Sequence, residues 1–194
     1  GFSTPPAGTP ADRTPACSEP NRLPWSGISA QEAEQVCTGL GGFLCSVADW
    51  QTACRPNVAC AWGYNPRGGA GSACATTFTA TKYCNLGPSF DIDPGRPGAQ
   101  SGLLPTGYPS LQNCYADWSA LQGNLTATNK LYDLTGNLRE LTVQGPSDYR
   151  LMGGSYLNAS DQGATCGATT VSVGATARAN DVGFRCCFSS DPTQ

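Results

Sequence analysis

The sequence predicts an α+β domain in which two helices lie beside a small antiparallel sheet, with long loops held by disulfides. Three observations predict this class: two apolar patterns with helical spacing, three strand-like pieces between 131 and 187, and cysteines spread through segments that lack periodicity. A length of 194 residues with 39% hydrophobic residues suits one domain. We expect residues 1–20 to be an extended tail and residues 21–194 to be that domain.

The N-terminal tail is rich in proline and small polar residues. This composition favours an extended, polyproline-like chain that cannot build a core by itself. It predicts either a flexible linker or a segment that docks onto another subunit. For docking, the candidate residues are Pro5, Pro6, Pro10 and Pro15.

A first helix is predicted over AQEAEQVCTGLGG, directly after Ser29. Serine is a favoured N-cap, and Gly41 with Gly42 supplies a stop signal. The apolar residues that recur at helical spacing are Ala33, Val36, Cys37 and Leu40.

A second helix is predicted within FLCSVADWQTACR. Ser46 is its candidate N-cap, and Asp49 stands three residues later at the capping-box position. Val47, Trp50 and Cys54 are expected to line one face of this helix.

The segment 56–119 shows no helical or strand period. Gly, Pro, Asn and Thr dominate it, so we expect long ordered loops held by disulfides, followed by an exposed turn over 120–130. Aromatic residues in or beside such loops either stack on a ligand or pin the loops onto the core. These residues are Trp25, Trp62, Tyr64, Tyr108, Tyr115 and Trp118.

Three pieces near the C-terminus predict neighbouring strands of one sheet. They are LYDLTGNLRELT, YRLMGGSYLN and DVGFRCC. Each combines a strand-like apolar alternation with glycine where the backbone must turn or be closely approached.

Eleven cysteines without any histidine or CxxC pair argue for disulfides formed outside the cytoplasm rather than for zinc sites. The odd number leaves at least one thiol free or bonded to another molecule. The adjacent Cys186 and Cys187 point to opposite faces of a strand, so they should bond to different partners. One is expected to face the helices, with Cys37 or Cys45 as candidates, and the other a loop. The full set is Cys17, Cys37, Cys45, Cys54, Cys60, Cys74, Cys84, Cys114, Cys166, Cys186 and Cys187.

The charge pattern argues against a nucleic-acid partner. The net charge is −3, the only lysines are Lys82 and Lys130, and the arginines are scattered singly, so no basic stripe is available for phosphates. No apolar run approaches the roughly 20 residues of a membrane-spanning helix. We expect a secreted, soluble protein from which any export signal has been removed.

The ordered motifs GNLRE, GGSY and GFR, together with the upstream helix SVADWQTACR, resemble the formylglycine-generating enzyme (sulfatase-modifying factor) family. The resemblance runs from about residue 24 to residue 188. With its many cysteines, the chain is similar to the variant of this family that is found in secreted bacterial proteins. It implies an α+β fold akin to C-type lectins, with little regular secondary structure.

Enzymes of that family oxidise a client cysteine with copper held by two cysteines. The matching positions here are Asn158 and Gly163, which supply no thiolate for soft Cu(I). Cys166 is the one sulfur nearby and is expected to be half of a disulfide. A relative of the family holds iron with histidines, which this chain lacks. We therefore expect no copper and no catalysis.

Two carboxylate pairs could still serve in acid and base chemistry. They are Asp91 with Asp93, and Asp133 with Glu140. Turn capping or metal coordination explains both pairs without catalysis.

The resemblance also implies two structural calcium sites. In TGNLRE, the first would use the side-chain oxygens of Asn137 and Glu140 and the carbonyls of Thr135 and Leu138. The alternative makes Asn137 a turn residue with positive φ, and Glu140 either an exposed strand residue or a partner of Arg139 or Arg185. Arg185 and Arg150 are expected to form buried ion pairs or to bond carbonyls.

The second calcium site would draw on oxygens from Asn85, Leu86, Asp91 and Asp93. The DxDxG pattern matches a calcium loop only in part. An Asx turn explains the same residues.

Three functions from different classes follow. The first is a non-catalytic structural or adhesive subunit of a surface assembly, which self-associates or binds a partner through its tail. The second is a lectin-like domain that binds glycans with its long loops. The third is an oxidase or hydrolase whose active site has no familiar motif.

Overall fold

The computed structural model describes residues 21–56, 59–65, 74–75, 83–86, 102–118, 130–158, 164–168 and 171–189. Within them the fold is α+β, as predicted. The helices are α1 (Ala30–Gly39), α2 (Val47–Cys54) and a short 3₁₀ turn at Pro109–Leu111. The strands are β1 (Phe43–Leu44), β2 (Tyr115–Asp117), β3 (Lys130–Tyr132), β4 (Arg139–Gly145), β5 (Asp148–Met152), β6 (Val171–Val173), β7 (Val182–Phe184) and β8 (Cys186–Cys187).

Both predicted helices begin at the expected N-cap serine, and both have a capping box, which was predicted only for the second. Ser29 accepts from the backbone N–H of Glu32 while the Glu32 side chain reaches back to Ser29. Ser46 and Asp49 make the same reciprocal bonds at α2. These bonds satisfy N–H groups that the first helical turn leaves unpaired. At ten residues, α1 is the longest helix of the described chain, about half the length that a bilayer-spanning helix needs.

The main sheet has four strands in the order β6-β5-β4-β7. The three motif pieces supply the adjacent strands β5, β4 and β7, which confirms that they are neighbours. The prediction of an antiparallel sheet is wrong for one pair, because β7 runs parallel to β4. Parallel neighbours require a crossover connection. Residues 174–181 provide it by carrying the chain from β6 at one edge to β7 at the other.

Two smaller sheets depart further from the predictions. The piece VGFRCC is not one strand, because it divides at Arg185: β7 joins the main sheet, and β8 pairs with β1. The segment 56–119 was predicted to consist of loops, yet β2 lies in it and pairs with β3.

Among the described residues, five disulfides join positions that are 14 to 149 residues apart, so the protein is disulfide-rich. Cys186 bonds to Cys37 of α1, and Cys187 bonds to Cys45, just before α2. The prediction that the adjacent cysteines have different partners is confirmed, and both candidate partners are used. The expected half-disulfide at Cys166 is also confirmed, whereas Cys17 lies outside the described residues. The other bridges are Cys54–Cys166, Cys60–Cys74 and Cys84–Cys114.

Two glycines of the motifs allow close packing around the β3–β4 turn. A Cβ on Gly136, where φ is +79°, would lie 2.6 Å from the carbonyl oxygen of Asn85. A Cβ on Gly153, where φ is +85°, would lie 2.6 Å from the carbonyl oxygen of Leu134. Only glycine meets both the backbone and the space requirement at these positions. These two glycines let the backbone at Asn85 and Leu134 pack closely against the β3–β4 turn and the GGSY motif.

Candidate functional site

A cavity of about 40 Å³ lies beside the β3–β4 turn. Thr106, Asp133, Glu140 and Arg185 contribute its polar wall. The fold therefore brings together Asp133 and Glu140, one of the two carboxylate pairs predicted from the sequence. The other pair, Asp91 and Asp93, lies outside the described residues.

Glu140 is only 6% exposed and is held by two donors. Arg185 Nε donates to both of its carboxylate oxygens, at 2.7 and 2.8 Å, and Trp50 Nε1 donates to Oε2 at 2.7 Å. Burial raises the pKa of Glu140, while Arg185 and Trp50 oppose that rise by favouring the ionised form. Of the alternatives for Glu140, the partnership with Arg185 is confirmed, and the exposed strand residue is wrong. The remaining guanidinium edge of Arg185 donates to the Tyr132 carbonyl, as expected for a buried ion-pair residue.

Asp133 is the second carboxylate of the cavity, on a residue with φ of +56°. Its Oδ2 accepts from the Gly107 backbone N–H at 3.2 Å. Burial raises the pKa of Asp133 to about 7, even though that hydrogen bond and Arg185 lower it. The neighbouring Glu140 charge adds to the rise.

Asn137 ties a loop to the β3–β4 turn. Its Oδ1 accepts from Leu104 N–H at 3.0 Å and from Asn85 Nδ2 at 3.1 Å, and its Nδ2 donates to the Leu104 carbonyl at 3.0 Å. Its φ of +63° confirms the interpretation as a left-handed turn residue. The amide is fully used as a bridge between backbone segments.

These contacts test the first calcium set. The oxygens of Asn137 and Glu140 face N–H donors, and Thr135 Oγ1 accepts from Gly63 N–H at 3.0 Å. A cation cannot share an oxygen lone pair that already accepts a hydrogen bond, and a donor proton aimed at it would repel the cation. Leu138 is buried against Gly183. The side chains of this set do not fit calcium in the described geometry.

The second calcium set differs from the first because it contains a buried oxygen that accepts no hydrogen bond from a described residue. Asn85 is 2% exposed, and its Oδ1 accepts no hydrogen bond anywhere in the described part of the chain. A buried amide oxygen without a donor is costly, and a bound cation would satisfy it. Leu86 lies next to it in the core, whereas Asp91 and Asp93 lie outside the described ranges. Asn85 therefore fits a calcium ligand.

Asn158, which the resemblance matches to the first copper cysteine, has a structural role. Asn158 Oδ1 accepts from Ser155 N–H at 2.8 Å and from Ser155 Oγ at 3.3 Å, which closes the loop after GGSY. Gly163 lies outside the described residues. Cys166 is bonded to Cys54 and buried, so it offers no thiolate.

A second polar cluster was not predicted from the sequence. Asp181 accepts from Arg139 Nε and Nη2, both at 2.9 Å, and from Ser155 Oγ at 2.8 Å. Burial raises the pKa of Asp181, but Arg139 and Ser155 outweigh that effect and lower it.

Arg150 also forms an ion pair, with Asp148, but both side chains are partly exposed, so the prediction of a buried pair is wrong there.

The loop aromatics contribute mainly to the core. Trp62, Tyr64 and Tyr115 are at most 7% exposed, and Trp118 Nε1 donates to the Ala53 carbonyl at 2.9 Å. Trp25 packs edge-on against Phe184. Of the two interpretations, pinning of loops describes these contacts.

Comparison with known proteins finds likeness among solved structures. No family model matches the chain, and no curated protein matches it. Among solved structures it is similar to Treponema denticola variable protein 1, with 17% identity and a TM-score of 0.46. The match covers 73% of this chain and 45% of that chain, so the chain spans less than half of that protein.

Proposed function

We propose that this chain is a non-catalytic extracellular domain of the formylglycine-generating-enzyme type, with a C-type-lectin-like fold, that serves as a structural or adhesive subunit of a surface assembly. The observation that carries the proposal is how its motif residues use their polar groups. Asn137 accepts a hydrogen bond from the Leu104 N–H, and Glu140 accepts from Trp50 and Arg185. These bonds hold separate segments of the chain together. Residues used in this way stabilise a scaffold.

The state of the cysteines supports the same proposal. The ten described cysteines are all in disulfides, so thiolate chemistry has no donor among them. Disulfides of this density are typical of proteins outside the reducing cytoplasm. They also suit a subunit that must survive at a cell surface without chaperones or repair.

Calcium enters the proposal only at the second predicted set. The unpaired oxygen of Asn85 supports a structural ion there, held with a Leu86 carbonyl and the carboxylates of Asp91 and Asp93. Such an ion would be structural and would take no part in a reaction.

Sedimentation velocity of the full chain tests the assembly role. We expect concentration-dependent self-association that is lost when Pro5, Pro6, Pro10 and Pro15, which lie outside the described residues, are changed to alanine, since alanine lacks the fixed φ of proline. The matched control changes Pro109 to alanine, which lies in the 3₁₀ turn and is exposed. A monomer at every concentration, with no partner captured by a tail peptide, would contradict the proposal.

A further inference from the structure

The cavity beside the β3–β4 turn is lined by more acidic than basic side chains. Asp133 and Glu140 bring two carboxylates to it, and Arg185 brings one guanidinium. Glu140 and Arg185 form a close ion pair with each other. Asp133 forms no ion pair with a described residue, so above its pKa of about 7 the cavity wall carries one negative charge that no ion pair compensates.

The same wall has hydrogen-bond acceptors to spare. Of the two oxygens of Asp133, only Oδ2 receives a donor, the N–H of Gly107. Neither Oδ1 of Asp133 nor the hydroxyl of Thr106, which is 5% exposed, has a hydrogen-bond partner among the described residues. A ligand that carries both a positive charge and several N–H donors would complement this wall.

We propose that this cavity binds a primary ammonium group of a partner. A volume of about 40 Å³ has room for a few water-sized groups, which suits an ammonium better than a sugar ring. Pro24, Leu138 and Phe184 form an apolar wall along which a methylene stem can lie. A divalent metal is a poorer match, because it seeks six or more oxygens and Arg185 in the same wall repels it.

Lys130 of this chain is not the source of the ammonium, because its own ammonium already lies 4.2 Å from the centre of the Tyr115 ring. The ammonium comes either from a lysine of another protein or from a small free amine. This inference is separate from the assembly function, since a cavity that fails to bind ammonium leaves the sedimentation result unchanged.

Nuclear magnetic resonance of the full chain at pH 8 tests the inference, with the Trp50 indole N–H as reporter because it bonds to Glu140. The probes are n-butylammonium chloride and the peptide acetyl-Gly-Lys-Gly-amide, with potassium chloride and butan-1-ol as matched controls. We expect a saturable shift with n-butylammonium that neither control produces. Binding of the lysine peptide with equal strength points to a protein partner, and binding of n-butylammonium alone points to a free amine.

Two variants locate the binding. Asp133→Asn removes the charge while keeping an acceptor for Gly107, and should weaken n-butylammonium binding at least tenfold. Thr106→Val should weaken it several-fold, and the control Asp148→Asn, in the exposed pair with Arg150, should leave it unchanged. The inference is overturned if n-butylammonium acts no differently from potassium, or if both cavity variants bind it as well as the wild type does.

Discussion

Arg185 and Glu140 lie 45 residues apart in the sequence, yet Arg185 Nε lies 2.7 Å from Glu140 Oε1 in the interior of the domain. The pair links Arg185, between β7 and β8, to β4. Trp50 of α2 also donates a hydrogen bond to Glu140, so α2 is joined to the same contact. Because Glu140 is buried and Arg185 is largely so, each charge depends on the other. The stability of the whole scaffold should therefore depend on this contact.

Removal of the Glu140 charge should destabilise the fold strongly. Glu140→Gln removes the charge that lies closest to Arg185, and we expect the free energy of unfolding in urea to fall by about 3 kcal/mol or more. The matched control is Asp148→Asn, which breaks the exposed pair with Arg150 and should cost about 0–1 kcal/mol. Equal losses in the two variants would show that the buried pair has no special role.

Asn137 distinguishes a scaffold residue from a calcium ligand. Asn137→Asp would strengthen a calcium site, but it replaces the donor to the Leu104 carbonyl with a second acceptor. We expect a loss of about 1–3 kcal/mol in the free energy of unfolding, which calcium does not restore. Recovery of full stability on addition of calcium would show that the first calcium set is real.

Chelation should act through Asn85 instead. If an ion satisfies the unpaired Asn85 oxygen, excess EGTA lowers the melting temperature of the wild type, and added calcium restores it. In the variant Asn85→Ala the calcium dependence should be lost, because the side-chain oxygen is removed. A melting temperature that is the same with EGTA and with calcium would exclude a stabilising ion.

The stability should decrease with rising pH because of Asp133. The folded protein keeps this proton up to about pH 7, whereas the unfolded chain releases it near the ordinary value of about 4. The free energy of unfolding therefore falls as the pH rises between these values and levels off above them. Urea unfolding at pH 5 and pH 8 should show a smaller loss in Asp133→Asn than in the wild type, by about 1–3 kcal/mol.

Burial also raises the pKa of Glu140, which changes stability in the same direction, so the comparison with Asp133→Asn is what isolates Asp133. Glu32, whose pKa is lowered to about 2 by the Ser29 N–H and Arg178, changes its proton occupancy only below the tested pH interval. Identical pH dependence of wild type and Asp133→Asn would mean that Asp133 is not the group responsible.

The two disulfides of Cys186 and Cys187 should stabilise the fold in a coupled way, since each can close the same long loop. Cys37–Cys186 and Cys45–Cys187 span 149 and 142 residues and join nearly the same points of the chain. Removal of either bridge alone still leaves the long loop closed, so each costs only about 2–3 kcal/mol. Removal of both should cost clearly more than the sum of the two, measured by thermal unfolding. A strictly additive result would contradict the pairing, which peptide mapping under non-reducing conditions checks directly.

The sequence carried enough information for the local elements. Ser29 and Ser46 mark the helix starts, because a capping box depends on residues three apart. The strand pieces are recognisable because glycine and apolar residues recur at fixed places. The different partners of Cys186 and Cys187 follow from the alternation of side chains along a strand.

Other features depend on contacts between distant residues and could not be predicted. The parallel pairing of β4 with β7 depends on the crossover of residues 174–181, which has no sequence signature. The bond of Arg139 to Asp181 spans 42 residues. At Asn137, the same oxygen suits a calcium ligand or a hydrogen-bond acceptor, and only the position of Leu104 decides between them.

Titration of the disulfide-intact full chain with Cu(I), against a competing chromophoric chelator, tests the central claim most directly. The account predicts no tight stoichiometric copper site and no oxidation of a cysteine-containing peptide, because Asn158 is bonded to Ser155 and Cys166 to Cys54. A tight one-to-one Cu(I) complex that oxidises such a peptide would contradict it and would identify the domain as an enzyme.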